Sequence, residues 1–533
     1  MGQLVIEPYG KKADLKKGKT LLSYFQDLGI NIHAFCGGKG VCRGCLVKVA
    51  ETKNLSAMTK AERESIKRVG YRLACQAEIL SEDGDIFVEA PKYAKYKILE
   101  KGMFKEIPLN PLVKKKHAFP KELVCWRNDT IDEYDGELYG LALDIGTTTL
   151  SLYWVNLETG DTHFVSSMLN PQIRYGDNVI DRINYARTVS QSYLEKTIRE
   201  AVNEMIQQGP INPNHIYEMV VVGNTVMRDL CIGHPVKSLG ESPFKPLSEG
   251  AVNKPAYELE IEINSKANVY ALPLIGHFVG ADALAVILAT EMYKNPSVTM
   301  AIDIGTNTEI AVGNKDRIIV TSCASGPAFE GSEIKCGTGA IEGAIKKVEI
   351  SNDLTVKYET IDNMPPVGIC GSGLIDALAQ MLDKGIIHGD GKFSEGKSKF
   401  IIAENVNPVF LDGDDIDSLK LAKSATSAGI KIVMQHYGVD VKDLEKLYLA
   451  GAFGTFINSE NAIKMGMLPD MPSDRIVRVG NAAIEGARQV LISNEKRKDA
   501  EEISKKIEHV RLEMEEDFQD QFMGELYFHK YAL

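Results

Sequence analysis

Over the first ninety residues the spacing of apolar side chains changes period several times. QLVIEP (3–8) alternates as a half-buried strand does. LLSYFQDLGI (21–30) sets Leu21, Leu22, Phe25 and Leu28 at helical spacing before Gly29, and LVKVA (46–50) and DIFVEA (85–90) add strands. Between 91 and 121 the pattern lapses: Pro91, Pro108, Pro111 and Pro120 sit among nine Lys and two Glu, which reads as an exposed tether. From about residue 139 apolar strands alternate with helical stretches, and the strands alternate only loosely, as when both faces are covered. In the tail, Ile503, Ile507, Val510, Leu512 and Met514 are spaced for a helix over Glu495 to Phe518 with one stripe packed on the body. That stripe is short for a coiled-coil seam.

The body repeats itself. LALDIGTTTLSLYWV (141–155) and MAIDIGTNTEIAVG (300–313) each read as strand, tight Gly-Thr turn, strand, with an offset of 159 residues from Asp144 to Asp303. Such a turn suits phosphate. Gly146 and Gly305 let backbone N–H groups approach oxygens, and Thr147, Thr148, Thr149, Thr306, Asn307 and Thr308 add side-chain donors. Asp144 and Asp303, at the strand ends, are placed to hold Mg²⁺ and its waters between facing hairpins. A single Asp-x-Gly-Thr is common in ordinary hairpins; two copies at domain spacing are specific. VVVGNT (220–225) is a further strand and Gly turn. LEKLYLAG leads into Gly451-Ala452-Phe453-Gly454, a strand-to-helix turn able to pass beneath an adenosine. No Gly-x4-Gly-Lys-Ser/Thr occurs, which excludes a P-loop.

Nine cysteines are an odd number, and four fall in the first 75 residues, a poor match to a secreted disulfide scaffold. Cys36, Cys42, Cys45 and Cys75 give C-x5-C-x2-C-x29-C, with Gly37, Gly38, Gly40 and Gly44 interleaved. Glycines let a loop curl round an inorganic cluster, whereas zinc usually takes two C-x2-C-like pairs and Cys75 stands alone. An iron-sulfur cluster is therefore preferred over zinc, and with four thiolates present His33 is assigned to packing or the surface.

The net charge of -12 hides a split: residues 1 to 121 carry 23 Lys/Arg against 13 Asp/Glu, and residues 122 to 533 carry 38 against 60. The basic segment suggests docking against an acidic surface. The three lysines at 114 to 116 come without a stacking or groove-binding motif, so nucleic acid is not an expected partner. No run approaches 18 apolar residues and the N-terminus lacks signal-peptide order, so a cytoplasmic location without membrane attachment is expected. Met1-Gly2 is followed by Ile6 where a myristoylation signal needs Ser or Thr.

The head resembles plant- and adrenodoxin-type 2Fe-2S ferredoxins of the β-grasp fold, with five rather than the plant pattern's four residues between Cys36 and Cys42. The repeated hairpins and the late Gly turn resemble the ASKHA superfamily of acetate and sugar kinases, heat-shock chaperones and actin, in which two RNase H-like halves clasp ATP. NPQIRYGDNVIDRI (170–183), GHFVGADALA (276–285), CASGPAFEG (323–331), ICGSGLIDAL (369–378) and LAGAFG narrow this to the reductive activators of corrinoid proteins. That resemblance implies an α+β β-grasp ferredoxin at 1–90, a basic linker at 91–138, ASKHA halves at 139–296 and 297–533, and a C-terminal helix. It implies four cysteine ligands to the cluster, and Mg-ATP organised by Asp144 and Asp303. The adenosine would lie over Gly451, Ala452 and Gly454, and a loop and helix N-terminus from Gly326 to Gly331 would face the terminal phosphate. Asp282 and Glu330 are alternatives for activating water, and Asp177 is structural or at a partner surface. The acceptor implied is a corrinoid protein in its Co(II) form, fed through a low-potential donor, with a homodimer through the ATPase body. The short distance from ferredoxin to Tyr139 suggests that a middle domain of longer relatives is absent.

Two other functions fit parts of the sequence: a small-molecule kinase with a redox-sensing head, and an ATP-driven assembly factor for a metalloenzyme. CASGPAFE also resembles a cluster-binding segment of 2-hydroxyacyl-CoA dehydratase activators. That would make Cys323, Cys336 and Cys370 candidates for a second cluster, against the simpler expectation of buried thiols. Cys125 and Cys231 stand in no motif.

Overall fold

The computed structural model describes residues 2–90 except 29, 31, 33–37, 39, 41–44, 51–52 and 67–68, and residues 106–529 except 177, 332, 395, 405–407 and 455. In the N-terminal body β1 (Gln3–Glu7), β2 (Lys11–Asp14), α1 (Leu21–Asp27), β3 (Leu46–Val49), α2 (Lys60–Ser65), β4 (Tyr71–Leu73) and β5 (Ile86–Glu89) follow in order. The sheet runs β2-β1-β5-β3-β4, with β1 and β5 parallel and the other pairs antiparallel. Leu4 and Ile6, on the inward side of the alternation, meet Leu21 and Phe25 of α1 in the core together with Val47, Leu73 and Val88. Thr20 caps α1. This is the expected β-grasp. Beneath β4 a buried Arg72 pairs with Glu62 at 2.8 Å, and Glu62 also accepts the Leu73 N–H.

The tether expected over 91–138 is corrected in its second part. β6 (Val113–Ala118), β7 (Lys121–Trp126) and β8 (Asp129–Glu133) form an antiparallel three-stranded sheet. Val113 and Val124 are buried in one core with residues of both halves, and Cys125 is also buried. Lys115 reaches Glu158 at 3.2 Å and lies over the Tyr134 ring, and Trp126 donates Nε1 to Glu218 at 3.4 Å. The run of three lysines in β6 breaks the apolar alternation and conceals strands this short.

The first half contains β9 (Tyr139–Ile145), β10 (Thr149–Asn156), β11 (Thr162–Leu169), α3 (Val179–Tyr185), α4 (Gln191–Gln208), β12 (Ile216–Gly223), α5 (Thr225–Ile232), β13 (Val252–Pro255), β14 (Asn268–Ala271) and α6 (Ala281–Ala289). The second half begins with β15 (Thr299–Ile304), β16 (Thr308–Gly313) and β17 (Ile318–Cys323). β18 (Ala344–Ile350), β19 (Val356–Thr360) and β20 (Gly368–Ile369) form a side sheet before α7 (Gly371–Asp383), and β21 (Lys399–Ala403) and β22 (Val409–Asp412) a hairpin before α8 (Gly413–Tyr437). β23 (Lys446–Ala450), α9 (Gly451–Gly454), α10 (Ser459–Lys464), β24 (Ile476–Gly480), α11 (Ala482–Ile492), α12 (Asn494–Ile503), β25 (Glu508–His509) and α13 (Phe518–Gly524) complete it.

The strand orders β11-β10-β9-β12-β14-β13 and β24-β23-β15-β16-β17-β25 share one plan. Three antiparallel strands are extended on the side of the first by two parallel ones: β12 and β14 in one half, β23 and β24 in the other. The sequence repeat is thus a duplicated RNase H-like α/β fold. α6 and α11 cross between the halves, and a Cβ on Gly486 would lie 2.2 Å from the Ala285 carbonyl oxygen, so this crossing tolerates no larger residue.

The helix expected over 495–518 ends at Ile503. Ile507 and Val510 are buried instead through the edge of the second sheet, where Val510 N–H donates to Val320 O at 2.9 Å and Thr321 Oγ1 to Val510 O at 2.8 Å. Edge pairing satisfies the backbone while burying the same side chains, and so displaces the helix.

Candidate nucleotide cleft and cluster loop

In the first hairpin, Gly146 N–H donates to Thr149 O at 2.9 Å, and a Cβ on Gly146 would sit 2.7 Å from that oxygen. In the second, Gly305 N–H donates to Asn307 O at 3.2 Å. The two turns face each other across the halves: the Thr148 and Thr306 hydroxyl oxygens lie 3.2 Å apart, and both donate to the Glu330 carboxylate at 3.0 to 3.2 Å. Thr308 is held lower in its strand, 2.8 Å from the Ser325 hydroxyl. Gly326, at φ +74 with open space where a Cβ would point, donates its N–H to Thr306 O at 3.0 Å. The helix N-terminus expected from Gly326 to Gly331 is only a short turn, Ala328–Glu330.

Five carboxylates collect at this junction. Asp144, Asp282, Asp303, Glu309 and Glu330 are each partly accessible, as on the floor of a cleft. Burial pushes Asp144 up to about 6, and Asn481 Nδ2, donating to its Oδ2 at 2.8 Å, limits the rise. Burial and the Asp144 charge carry Asp282 to about 7, against the hydrogen bond from Ala283 N–H. Burial and the charges of Asp282 and Asp144 carry Asp303 to about 8. Burial, then Asp282 and Asp303, hold Glu309 well above its ordinary range. Burial also raises Glu330, against its threonine hydrogen bonds. Like charges this close resist simultaneous ionisation unless a cation joins them. Among the described residues no three acidic, histidine or cysteine side chains enclose a metal by themselves.

Gly451 adopts φ +86 at the end of β23, and a Cβ there would lie 2.6 Å from Asp303 Oδ1. The turn expected to pass beneath an adenosine thus presses directly on Asp303; Ala452 and Gly454 follow in α9. Asp282 sits in the first turn of α6, whose cap is Gly280. A Cβ on Gly280 would lie 2.4 Å from Asn224 Cα, which fixes this helix start against the end of β12.

Several residues at the site carry no sequence expectation. Asn224 caps α5 and donates to Thr147 Oγ1 at 3.1 Å. Asn170 donates to Gly146 O at 2.9 Å, and the buried Arg182 to Thr147 O at 2.6 Å. Glu309 accepts from Ser322. The two capping asparagines share a signal, Val-Gly-Asn before a helix, at 222–224 and 479–481. Asp177, given a structural or partner role, lies outside the described residues.

Of the cluster cysteines, Cys36 and Cys42 lie outside the described residues, as does His33. Cys45 precedes β3 and Cys75 follows β4, and Ala74 N–H donates to Cys45 O at 2.9 Å, bringing the two turns together. A Cβ on Gly38 would lie 3.9 Å from Cys75 Cβ, so Gly38 passes beside the fourth cysteine. These positions suit a shared cluster. Cys323, Cys336 and Cys370 are buried separately. A Cβ on Gly429 would lie 2.1 Å from Cys323 Sγ, Cys336 faces Pro408 O, and Cys370 donates to Ile345 O at 3.3 Å. Packing accounts for all three.

Residues 4–80 match the family described as 2Fe-2S iron-sulfur cluster binding domain, 139–295 the RACo middle region, and 297–533 the C-terminal ASKHA domain of RACo. The chain is 29% identical to the corrinoid activation enzyme RamQ of Eubacterium limosum, over 96% of this chain and 97% of that one. It is 30% identical to a Co(II) methylated amine-specific corrinoid protein reductase of Methanosarcina barkeri, over 73% and 77%. A solved reductive activator for corrinoid iron-sulfur protein superposes with a TM-score of 0.73 at 29% identity, covering 99% of this chain and 98% of that one. The family model named middle region falls on residues 139–295, the first half itself, and the RamQ alignment runs over 592 positions against the 533 residues of this chain. No helix among the described residues is long and apolar enough to cross a membrane. A cluster-binding head followed by a duplicated nucleotide fold, matched along its length, places this chain in the RACo family of corrinoid-protein reductive activators.

Proposed function

We propose that this protein is an ATP-dependent reductive activator that returns the Co(II) form of a corrinoid protein to Co(I). The observation that carries this reading is the facing pair of phosphate hairpins, joined through Thr148, Thr306 and Glu330, in one chain with a ferredoxin-like head. Relatives named for corrinoid activation and for reduction of a Co(II) corrinoid protein support it. When bound through Cys36, Cys42, Cys45 and Cys75, a 2Fe-2S cluster supplies one-electron chemistry: the partner's cobalt gains the electron given up, and a low-potential donor replaces it.

The chain's residues do the rest. Asp144 and Asp303 would hold Mg²⁺, which would neutralise charge on the phosphates. Gly146 and Gly305 leave room for phosphate to approach, and the side chains of Thr147 and Asn307 offer donors to it. Asp282, poised at about 7, is assigned as base for the hydrolytic water. Glu330 is assigned to orienting Thr148 and Thr306. Each 100 mV uphill costs about 2.3 kcal/mol per electron. A nucleotide-linked bias of about 1–3 kcal/mol per coupled site therefore covers about 40–130 mV, provided the partner binds the ATP-loaded state better.

Anaerobic protein mixed with a Co(II) corrinoid protein, a low-potential reductant and Mg-ATP is expected to give a Co(I) spectrum only with nucleotide. Equal cobalt reduction without ATP sinks the reading. Asp282→Asn should bind Mg-ATP yet hydrolyse it about 10²–10⁴-fold more slowly.

A further inference from the structure

We propose that Gln76 is a positioning residue for the cluster, whose side-chain amide donates to a ligand sulfur and raises the potential at which the cluster accepts its electron. This rests on the reading that Cys75 is a cluster ligand. Gln76 Nε2 lies 2.7 Å from Gly38 O and 3.6 Å from Cys75 Sγ. Both neighbours are acceptors, so the nitrogen and not the amide oxygen faces them, and its two hydrogens are divided between the loop carbonyl and the sulfur.

The amide is built into place. Gln76 N–H and Ala77 N–H both donate to Leu73 O, while α1 takes hold of the same turn through Leu22 N–H to Ala74 O and Leu21 N–H to Ala77 O. Above it, Gly40 sits at φ +80, and a Cβ there would lie 3.0 to 3.2 Å from the Gln76 Cδ, Cγ and Nε2 atoms. The glycine of the cluster loop thus leaves the space that the glutamine head fills. Its bond to Gly38 O ties the loop to the turn of the fourth cysteine, which fixes the geometry of the sulfur contact.

Adding one electron increases negative charge on the cluster sulfurs. A fixed N–H dipole stabilises the reduced form more than the oxidised one, and hydrogen bonds to sulfur are a principal means of tuning such centres. Gln76 thereby makes the cluster easier to charge from its donor and a weaker reductant toward cobalt, which enlarges the task left to the nucleotide.

The test is a mediated redox titration of the full-length protein without corrinoid partner or ATP, followed by visible and electron spin resonance spectra. Gln76→Leu, with iron content and oxidised spectrum unchanged, is expected to shift the ratio of oxidised to reduced cluster about tenfold toward oxidised, about 59 mV for one electron. Gln76→Glu, which sets a carboxylate against the sulfur, is expected to shift it further in the same direction. Midpoints equal to wild type in both variants overturn the proposal. Should either variant fail to hold its cluster, wild-type protein labelled with ¹⁵N at the glutamine side-chain amide decides. A nitrogen coupling to the reduced cluster in spin-echo spectra supports the contact, and its absence overturns it. Wild-type protein that binds no 2Fe-2S cluster refutes the cluster reading itself, a result distinct from an unshifted midpoint.

Discussion

Asp303→Asn puts a permanently neutral side chain of the same shape where ionisation is disfavoured. Asp303 is carried from 3.8 to about 8 by burial and by Asp282 and Asp144. A carboxyl whose folded value is raised binds its proton more tightly in the native state, so its penalty grows as pH rises above 3.8 and is complete once pH passes about 8. At pH 7.5 the ceiling on that penalty is about 5 kcal/mol, at about 1.36 kcal/mol per unit. Solvent reaches the cleft, and Asp282 and Asp144 relax once their neighbour is neutral, so about 2 kcal/mol is the expected gain. For a unit of this size that is about 4–8 °C in melting temperature. The nucleotide-free variant should therefore melt higher than wild type at pH 7.5, and the gap should close toward pH 5. The same substitution should abolish stabilisation by Mg-ATP. Scanning calorimetry with and without Mg-ATP, from pH 5 to 9, reads both effects. A variant that melts lower than wild type without nucleotide, or keeps the full Mg-ATP shift, refutes the claim that this carboxylate is buried against like charges to await a cation.

On the proposed cation roles of Asp144 and Asp303, Mg-ATP affinity of the wild type should rise with pH between about 6 and 8, as these two carboxyls give up protons; calorimetric titration in buffers of different ionisation enthalpy should show proton release. Asn481→Leu removes the donor that limits the rise of Asp144 and should move this pH dependence upward, measured in the same titration. Gly451→Ala puts a methyl at φ +86, where a Cβ lies 2.6 Å from Asp303 Oδ1; it should cost about 1–2 kcal/mol in denaturant melts and weaken nucleotide binding. Lys423→Met leaves the buried Glu525 with Lys431 at 2.7 Å but without Lys423 at 2.8 Å, and about 2–3 kcal/mol should be lost. Adding Glu525→Gln should restore part of it, and a double variant as unstable as both losses summed would rule out the pairing.

The hairpins were legible because their physics is local. A tight turn needs glycine at 146 and 305, and a strand-end acid beside it needs no distant partner to be recognised. Residues whose work depends on tertiary approach were not. Asn170 and Arg182 stand among polar neighbours with nothing to show that they reach the carbonyls of Gly146 and Thr147, and Glu309 reads as the outward residue of an alternating strand. Asn224 and Asn481 were the recoverable pair, since each follows Val-Gly at a strand end. The tail misled because Ile507 and Val510, three apart, satisfy a helical stripe and a sheet edge equally well; only the unpaired edge of β17 decides between them.

The charge split changes meaning once strands 113–133 are known. Residues 1–90 hold 14 Lys/Arg and 11 Asp/Glu, whereas 91–121 hold nine Lys and two Glu, so most of the cationic excess lies outside the cluster domain. Four of those lysines, 114 to 116 and 121, stand on β6 and β7, and Lys115 is fastened to Glu158 of the ATPase half. A near-neutral head gains little long-range steering from its own charge. We propose that attraction for an acidic partner, the expectation drawn from the charge split, belongs to a basic strand fixed on the nucleotide-binding body. Salt should then weaken partner capture through residues 91–121 and not through the ferredoxin surface. Replacing Lys114 and Lys116 by Gln should flatten the salt dependence of ATP-driven cobalt reduction while leaving the cluster spectrum and ATP hydrolysis unchanged. An undiminished salt slope in that variant would return the steering to the head.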